Sequence, residues 1–396
     1  MRKLLLAGAA ALVAAGAQAG EIKVGSAGGF TGPIAELIAA VQTGRELAAK
    51  HVNEQGGLLN GDKMVLVIGD SACDSKAGVD AGTKLVNVDQ VVAIVGPSCS
   101  GATLAMVQSV TIPAGVVNIS DSATSPAITN LDDNDLVFRD APSDAYQGVA
   151  LAKYVLDSGV KTVAVTYSND DYNAGLGKEF IKAYKEMGGT VAAEQVHEPN
   201  KASYRSEVAT LGAAKAEALV LFAYYGSSGI TIIRNSLETG AYTKFFGADG
   251  MVHEEIINQL GADALKDAAF TTSGADDTTG GWKAYMKVAK ELEAPTAPYV
   301  PNAYDATFLI ALAIEKAGAP DRSKISAALR EVANPPGEII LPGEWAKAKR
   351  LIAEGKDINY EGATGSVDFD EHGDVPGIYS LNTVNPDGTF NVVLLK

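Results

Sequence analysis

Two cysteines and a handful of hydroxyl residues carry most of the chemistry this sequence can offer. Cys73 and Cys99 are the only cysteines, in the segments Gly69-Asp70-Ser71-Ala72-Cys73-Asp74 and Gly96-Pro97-Ser98-Cys99-Ser100-Gly101. Each segment follows a short apolar run of strand length, and one disulfide between two neighbouring strand-end loops is expected. Ser100, at a strand end ahead of a helix, offers a hydroxyl and a backbone N–H near a positive helix terminus. At the next strand end Ser122, Ala123 and Thr124 present consecutive N–H groups and two hydroxyls, before a helix that Pro126 helps to start. Both loops suit a carboxylate; helix capping alone is the other reading of the same residues. Asp249, in Gly247-Ala248-Asp249-Gly250, follows a further strand, and its neighbouring glycines let the backbone approach a ligand closely.

Catalytic patterns find little support. His51, His197, His253 and His372 are scattered, with no zinc-ligand spacing and no partners for a nucleophilic triad. His51 is read on the polar side of a helix. No Gly-x-Ser-x-Gly elbow, Walker loop or Gly-x-Gly-x-x-Gly run occurs. Asp368-Phe369-Asp370-Glu371-His372-Gly373 begins like a calcium loop, but Tyr379 stands where the closing glutamate belongs, so it reads as a hairpin turn. Asp132-Asp133-Asn134-Asp135 reads as a solvated acidic loop. No catalytic residue, metal site or cofactor is therefore expected.

Composition sets the class. Arg2 and Lys3 precede an apolar run from Leu4 to Gly16 and an Ala17-Gln18-Ala19 cleavage pattern, which together read as a secretory signal peptide over 1–19. The run is shorter than the roughly 20 residues of a spanning helix, and no cysteine follows it to carry a lipid. A soluble periplasmic protein results, in a compartment where disulfides persist. The chain carries 32 basic and 48 acidic side chains, net −16, and has no basic patch for nucleic acid or anionic lipid. With 396 residues, 47% of them hydrophobic, it can fill two cores.

Strand-length apolar runs at 21–25, 64–68, 91–95 and 116–119 alternate with helical periods at 34–53, 77–86 and 102–110, the mark of βαβ units and parallel sheets. Leu136 to Pro142 reads as a link, after which a second series begins with a helix over 143–156. Its strands fall at 162–167, 191–196, 218–224, 244–247 and 268–272, with helices ending at Gly188, Gly212, Gly240 and Gly261. Helices at 282–293, 302–317 and 321–332 follow, then a closing region of strands and turns. The chain thus crosses between two lobes more than once, and the cleft between them is the expected ligand site.

With Thr31-Gly32-Pro33, Asp70 to Asp74, Gly96 to Ser100, Ser120-Asp121-Ser122-Ala123-Thr124-Ser125-Pro126, Asp170-Asp171-Tyr172-Asn173-Ala174-Gly175 and Gly247 to Gly250 in order, the sequence resembles the periplasmic substrate-binding proteins of ABC transporters, in the branched-chain amino-acid (leucine/isoleucine/valine-binding) family. The resemblance covers essentially the whole mature chain. It implies an α/β, type I periplasmic-binding-protein fold: two Rossmann-like lobes with parallel sheets, joined by a three-segment hinge that closes on the ligand. Lobe 1 is expected at 20–140 plus about 272–375, lobe 2 at 141–271 plus about 376–396. The implied carboxylate contacts are Ser100, Ser122, Ala123 and Thr124. Asp249 stands at the site of the family's acid that pairs with the ligand ammonium, usually a glutamate, with Tyr172 and one of Tyr224 or Tyr225 beside it. Where leucine-type binders place an aromatic residue, this chain has Leu37 or its neighbours. Asp121 replaces a proline, and reads either as a turn-former or as an acid facing a polar ligand side chain. The implied partners are a small neutral or branched-chain L-amino acid and an inner-membrane ABC permease, with neither nucleic acid nor inserted membrane, and a monomer is expected. Another small zwitterion, or a sensory ligand-binding role, is the alternative; a chain ending at Lys396 with no output domain favours transport.

Overall fold

The computed structural model describes residues 19–395; the signal segment expected over 1–19 lies, but for Ala19, outside the described residues. Among them no helix is long and apolar enough to cross a membrane. The first sheet consists of β1 (Glu21–Gly28), β2 (Lys63–Asp70), β3 (Ala93–Val95), β4 (Val117–Ser120) and β5 (Val137–Arg139), in the order β2-β1-β3-β4-β5 and all parallel. The second holds β6 (Thr162–Ser168), β7 (Thr190–His197), β8 (Ala218–Phe222), β9 (Phe245–Gly247) and β10 (Ala269–Ser273), parallel and in the order β10-β9-β8-β6-β7. A small sheet of β11 (Glu338–Ile340), β12 (Ile358–Gly362) and β13 (Gly365–Ser366) lies apart from both. Finally, the hairpin of β14 (Tyr379–Val384) and β15 (Phe390–Leu394), turned at Asn385–Gly388, adds antiparallel to β10.

Both parallel sheets reverse their strand order once, at β1/β3 and at β6/β8. Such a reversal splays the connecting loops to opposite faces and opens a crevice at the strands' carboxyl ends. The short apolar strands β3, β4, β8 and β9 are buried at every residue, because helices cover both faces of a parallel sheet.

The helix Val300–Ala317 buries every residue from Val300 to Ile314. A helix apolar all round has to be enclosed, and this one packs against Ala35–Glu54 and Arg322–Ala333 beneath the first sheet. Gly44 makes the first contact possible, since a Cβ there would overlap the Val300 carbonyl oxygen.

Four expectations need correcting. The link read over 136–142 contains β5, a fifth strand whose three residues are too few for periodicity and are recruited by pairing with β4. The closing region holds the helix Trp345–Ala353, masked in sequence by the Leu341-Pro342-Gly343 turn before it. Its Trp345 is fully buried and donates Nε1–H to Gly57 O at 3.2 Å. Gly212 ends a helix without capping it, the left-handed position falling on Lys215 instead, whereas Gly188, Gly240 and Gly261 do have positive φ. His51 is half-buried rather than on a polar face, with Nδ1 at 2.9 Å from Tyr304 Oη.

Candidate functional site

Six loops at strand carboxyl ends, those after β1, β3, β4, β6, β8 and β9, and one helix start converge between the two sheets. A cavity there is lined by Ile34, Leu37, Ile38, Ser98, Ser100 and Ser122 from the first lobe, facing Tyr172, Tyr224, Asp249 and Gly250 from the second, with Tyr299 between them. It is tight: the centre of a water-sized sphere ranges over only ≈ 20 Å³. The lobes touch around it, through Ser125 Oγ donating to Asp171 O at 3.2 Å and His253 lying 3.7 Å from Glu36. Gly226 also packs directly on the Pro33 backbone.

On the first-lobe side Cys73 and Cys99 are joined in a disulfide, their Cα atoms 5.3 Å apart, which ties the loop after β2 to the loop after β3. The helix from Ser100 begins directly after Cys99, so its first-turn N–H groups have no intrahelical acceptor and leave a positive end at the cavity. Ser100 Oγ accepts the N–H groups of Thr124 and Ser125, each at 3.2 Å, and Ser122 Oγ donates to Ser98 O at 3.1 Å.

Of the expected anion contacts, Ser100 and Ser122 line the cavity; Ala123 and Thr124 do not. The reason is local. Ala123 N–H is taken by Ser120 Oγ at 3.0 Å, and the bonds to Ser100 hold Thr124 behind it, buried, its hydroxyl without a hydrogen-bond partner.

On the second-lobe side Asp249 is buried and accepts from Gln147 Nε2 at 2.8 Å. Burial pushes its carboxyl above the usual carboxylate range, and the bond from Gln147 opposes that. Tyr172 Oη accepts Gly250 N–H at 3.1 Å, and the Tyr172 and Tyr224 rings stack at 5.3 Å. Tyr224, not Tyr225, therefore faces the cavity, while Tyr225 stacks on His253 at 4.5 Å. Asp121 does not line the cavity: it is fully buried, with Oδ2 2.7 Å from Arg45 Nε and 2.6 Å from Arg45 Nη2. It sits in the bend after β4, and its partner there is Arg45.

Two residues were missed in sequence. Tyr299 precedes the buried helix with φ +64°, a conformation uncommon for a bulky residue, and its hydroxyl is turned toward Asp249. Its place between Pro298 and Pro301 was the only hint. Asp144 is fully buried with neither carboxylate oxygen hydrogen-bonded, and burial, with Asp249 nearby, raises its pKa well above the ordinary value. In sequence it is an unremarked acid in a first helical turn, where acids are commonplace. The cavity is thus strongly dipolar, with N–H and O–H donors on one wall, the Asp249 carboxylate and tyrosines on the other, and an aliphatic patch at Ile34, Leu37 and Ile38.

Comparison with known proteins agrees with this geometry. Residues 40–387 match the family described as the receptor family ligand binding region. A leucine-, isoleucine-, valine-, threonine-, and alanine-binding protein of Pseudomonas aeruginosa is 30% identical over 359 residues, covering 90% of this chain and 88% of that one. The branched-chain amino acid transporter substrate binding protein LivJ from Streptococcus pneumoniae, solved in complex with isoleucine, superposes with a TM-score of 0.76 at 26% identity, over 94% of this chain and 99% of that one. The leucine binding protein LivK from Thermotoga maritima shares the fold at a TM-score of 0.80 and 23% identity, over 95% and 99% of the two chains. The chain belongs to the receptor ligand-binding family and, within it, to the substrate-binding proteins of branched-chain amino-acid ABC transporters.

Proposed function

We propose that this protein captures one neutral, aliphatic L-amino acid in the interlobe cavity and delivers it to an inner-membrane ABC permease from the periplasm. The observation that carries the reading is the opposition of Ser100 and Ser122 to Asp249 across one cavity with an aliphatic patch beside them. An α-amino acid is a zwitterion, and burying it needs donors for the carboxylate and an anion for the ammonium. In this reading the Ser100 helix end takes the carboxylate. Asp249, aided by Asp144, Tyr172, Tyr224 and Tyr299, takes the ammonium, and Ile34, Leu37 and Ile38 take the side chain. The P. aeruginosa relative is named for five neutral amino acids, four of them aliphatic and the fifth threonine. Export through a cleaved signal segment and action as a monomer complete the proposal.

A thermal-shift series with leucine, isopentylamine and 4-methylpentanoate tests it, since a tight ligand stabilises by RT ln(1 + [L]/Kd). Leucine or a close neutral relative should raise Tm, and neither half-molecule should match it. Equal shifts from the amine alone would overturn the carboxylate assignment, and no shift from any neutral amino acid would overturn the ligand class.

Closure follows from the same reading, the lobes hinging where the chain crosses near 140–142, 273–275 and 375–378. Gly226 and Pro33 meet only when the lobes are together, and a Cβ on Gly226 would overlap the Pro33 carbonyl oxygen. Gly226→Ala should therefore hold the lobes apart. Overpacking of this kind costs about 1–3 kcal/mol, so roughly a fivefold to 150-fold loss of ligand affinity is expected at unchanged ligand-free Tm. Calorimetry giving wild-type affinity would show that the contact plays no part in closure.

A further inference from the structure

At the carboxyl ends of β6 and β7 three buried side chains form a chain of hydrogen bonds whose direction is fixed. Thr166 Oγ1 lies 2.8 Å from the Gln195 carbonyl oxygen, and a carbonyl only accepts, so the threonine proton is spent there. The same Oγ1, 2.8 Å from His197 Nδ1, must then receive Nδ1–H. A neutral imidazole protonated at Nδ1 is an acceptor at Nε2, and Ser228 Oγ, 2.9 Å from that atom, donates to it. Burial holds the His197 pKa down at about 4, which keeps the ring neutral at ordinary pH. The charged groups facing it, Glu207 and Lys201, act in opposite senses and are paired with each other. Tyr204 meets the ring edge-on at 5.5 Å. Thr166, His197 and Ser228 are all at most 2% exposed, so this serine–histidine pair is sealed from any substrate.

Ser228 belongs to the turn Tyr225–Gly229, which winds round the carbonyl of Tyr224: that oxygen accepts Ser227 N–H at 3.1 Å and Gly229 N–H at 3.2 Å. The turn carries the Tyr224 ring into the amino-acid cavity and lays Gly226 on the Pro33 backbone of the opposite lobe. Its Gly226-Ser227-Ser228-Gly229 run has no apolar side chain to anchor it, and Ser227 Oγ reaches back only to Tyr224 O. Among the described residues the Ser228–His197 bond is the one side-chain hydrogen bond from this turn to the sheet.

We propose that His197 is a positioning residue for amino-acid capture: through Ser228 it sets the turn that brings Tyr224 to the ligand and Gly226 to the opposite lobe. The inference rests on the function proposed above for that cavity, and adds to it a residue that does not line the cavity at all.

Two amides of different length separate the two ring nitrogens. In His197→Gln the carboxamide reaches the place of Nε2 and can still accept from Ser228, whereas in His197→Asn it reaches only the place of Nδ1 and bonds Thr166 instead. Calorimetry with leucine, or with the neutral amino acid that raises wild-type Tm most, should find His197→Gln within about threefold of wild type, and His197→Asn and Ser228→Ala weaker by about fivefold to a hundredfold, the span of one unmade buried hydrogen bond. Combining His197→Asn with Ser228→Ala should cost no more than the worse single change, since both break the same bond. Without ligand, amide exchange at Ser227 and Gly229 should quicken in His197→Asn and Ser228→Ala but not in His197→Gln. Equal affinities of His197→Gln and His197→Asn overturn the proposal, as does wild-type affinity or unchanged exchange in Ser228→Ala. Failure of every neutral amino acid to bind wild-type protein would instead overturn the ligand reading, and with it a role for His197 in capture, while exchange still reports whether Ser228 holds the turn. Should His197→Asn not fold, Ser228→Ala, which removes a single oxygen, decides the matter by the same two measurements.

Discussion

Asp249→Asn is expected to weaken amino-acid binding by roughly thirtyfold to several-thousandfold while leaving the ligand-free protein as stable as before. The substitution preserves shape and an acceptor for Gln147 Nε2, but it takes away the anion that the buried ligand ammonium needs. Truncating one partner of such a pair costs roughly 2–5 kcal/mol, and every 1.4 kcal/mol is about tenfold in affinity. Acid should mimic the mutation. Burial raises the Asp249 pKa, so the carboxylate that pairs with the ammonium is lost as pH falls through that raised value. Affinity is then full well above it and declines below, beginning at a higher pH than an ordinary aspartate would give. In Asp249→Asn this component of the acid decline should be absent. Calorimetry across pH on both proteins checks the two statements together. Near-wild-type affinity in Asp249→Asn would leave Asp144 as the principal counter-ion of the ammonium.

Asp121→Ala should be among the most destabilising single changes in this chain, lowering unfolding free energy by about 3–5 kcal/mol, because it strands a buried guanidinium. Arg45 is fully buried. Its Nη1 donates to Ser26 Oγ at 3.0 Å and Ala27 O at 2.9 Å, and its Nη2 to Ser98 Oγ at 3.1 Å. The pair therefore pins the helix Ala35–Glu54 to β1 and to the loops after β3 and β4, which carry Ser100 and Ser122. Replacing both partners, as in Arg45→Met with Asp121→Ala, removes the uncompensated charge and should recover a large part of the loss. Denaturant unfolding of the two singles and the double decides it; equal stability of Asp121→Ala and the double variant would show that charge burial is not the cause. Ligand affinity in the double variant should still fall, since the two serine loops lose a shared anchor.

The alternation of apolar runs and helical periods was readable because the central strands of a parallel sheet are covered on both faces, while an edge strand such as β7 stays partly exposed. Most helices likewise show one apolar stripe, the enclosed helix Val300–Ala317 being the exception. Ser100, Ser122 and Asp249 could be picked out because strand-end loops before helices are where such sheets present polar groups. β5 and the helix Trp345–Ala353 escaped for a converse reason: three residues have no period, and a Pro-Gly turn hides a short helix behind it. Asp144, Asp140 and Asp121 are three aspartates in ordinary turn or first-turn contexts, and nothing local separates them. Tertiary packing gave the last an arginine 76 residues away and left the first two without hydrogen-bond partners. It also chose Tyr224 over Tyr225 for the cavity and turned Thr124 behind Ser100. Local sequence determined the elements and the loops that could hold polar chemistry, because propensity and periodicity act over a few residues. Which of those polar groups meet a partner, a ligand or nothing was decided by contacts between segments far apart in the chain, since burial and the low dielectric it brings exist only once both lobes have formed.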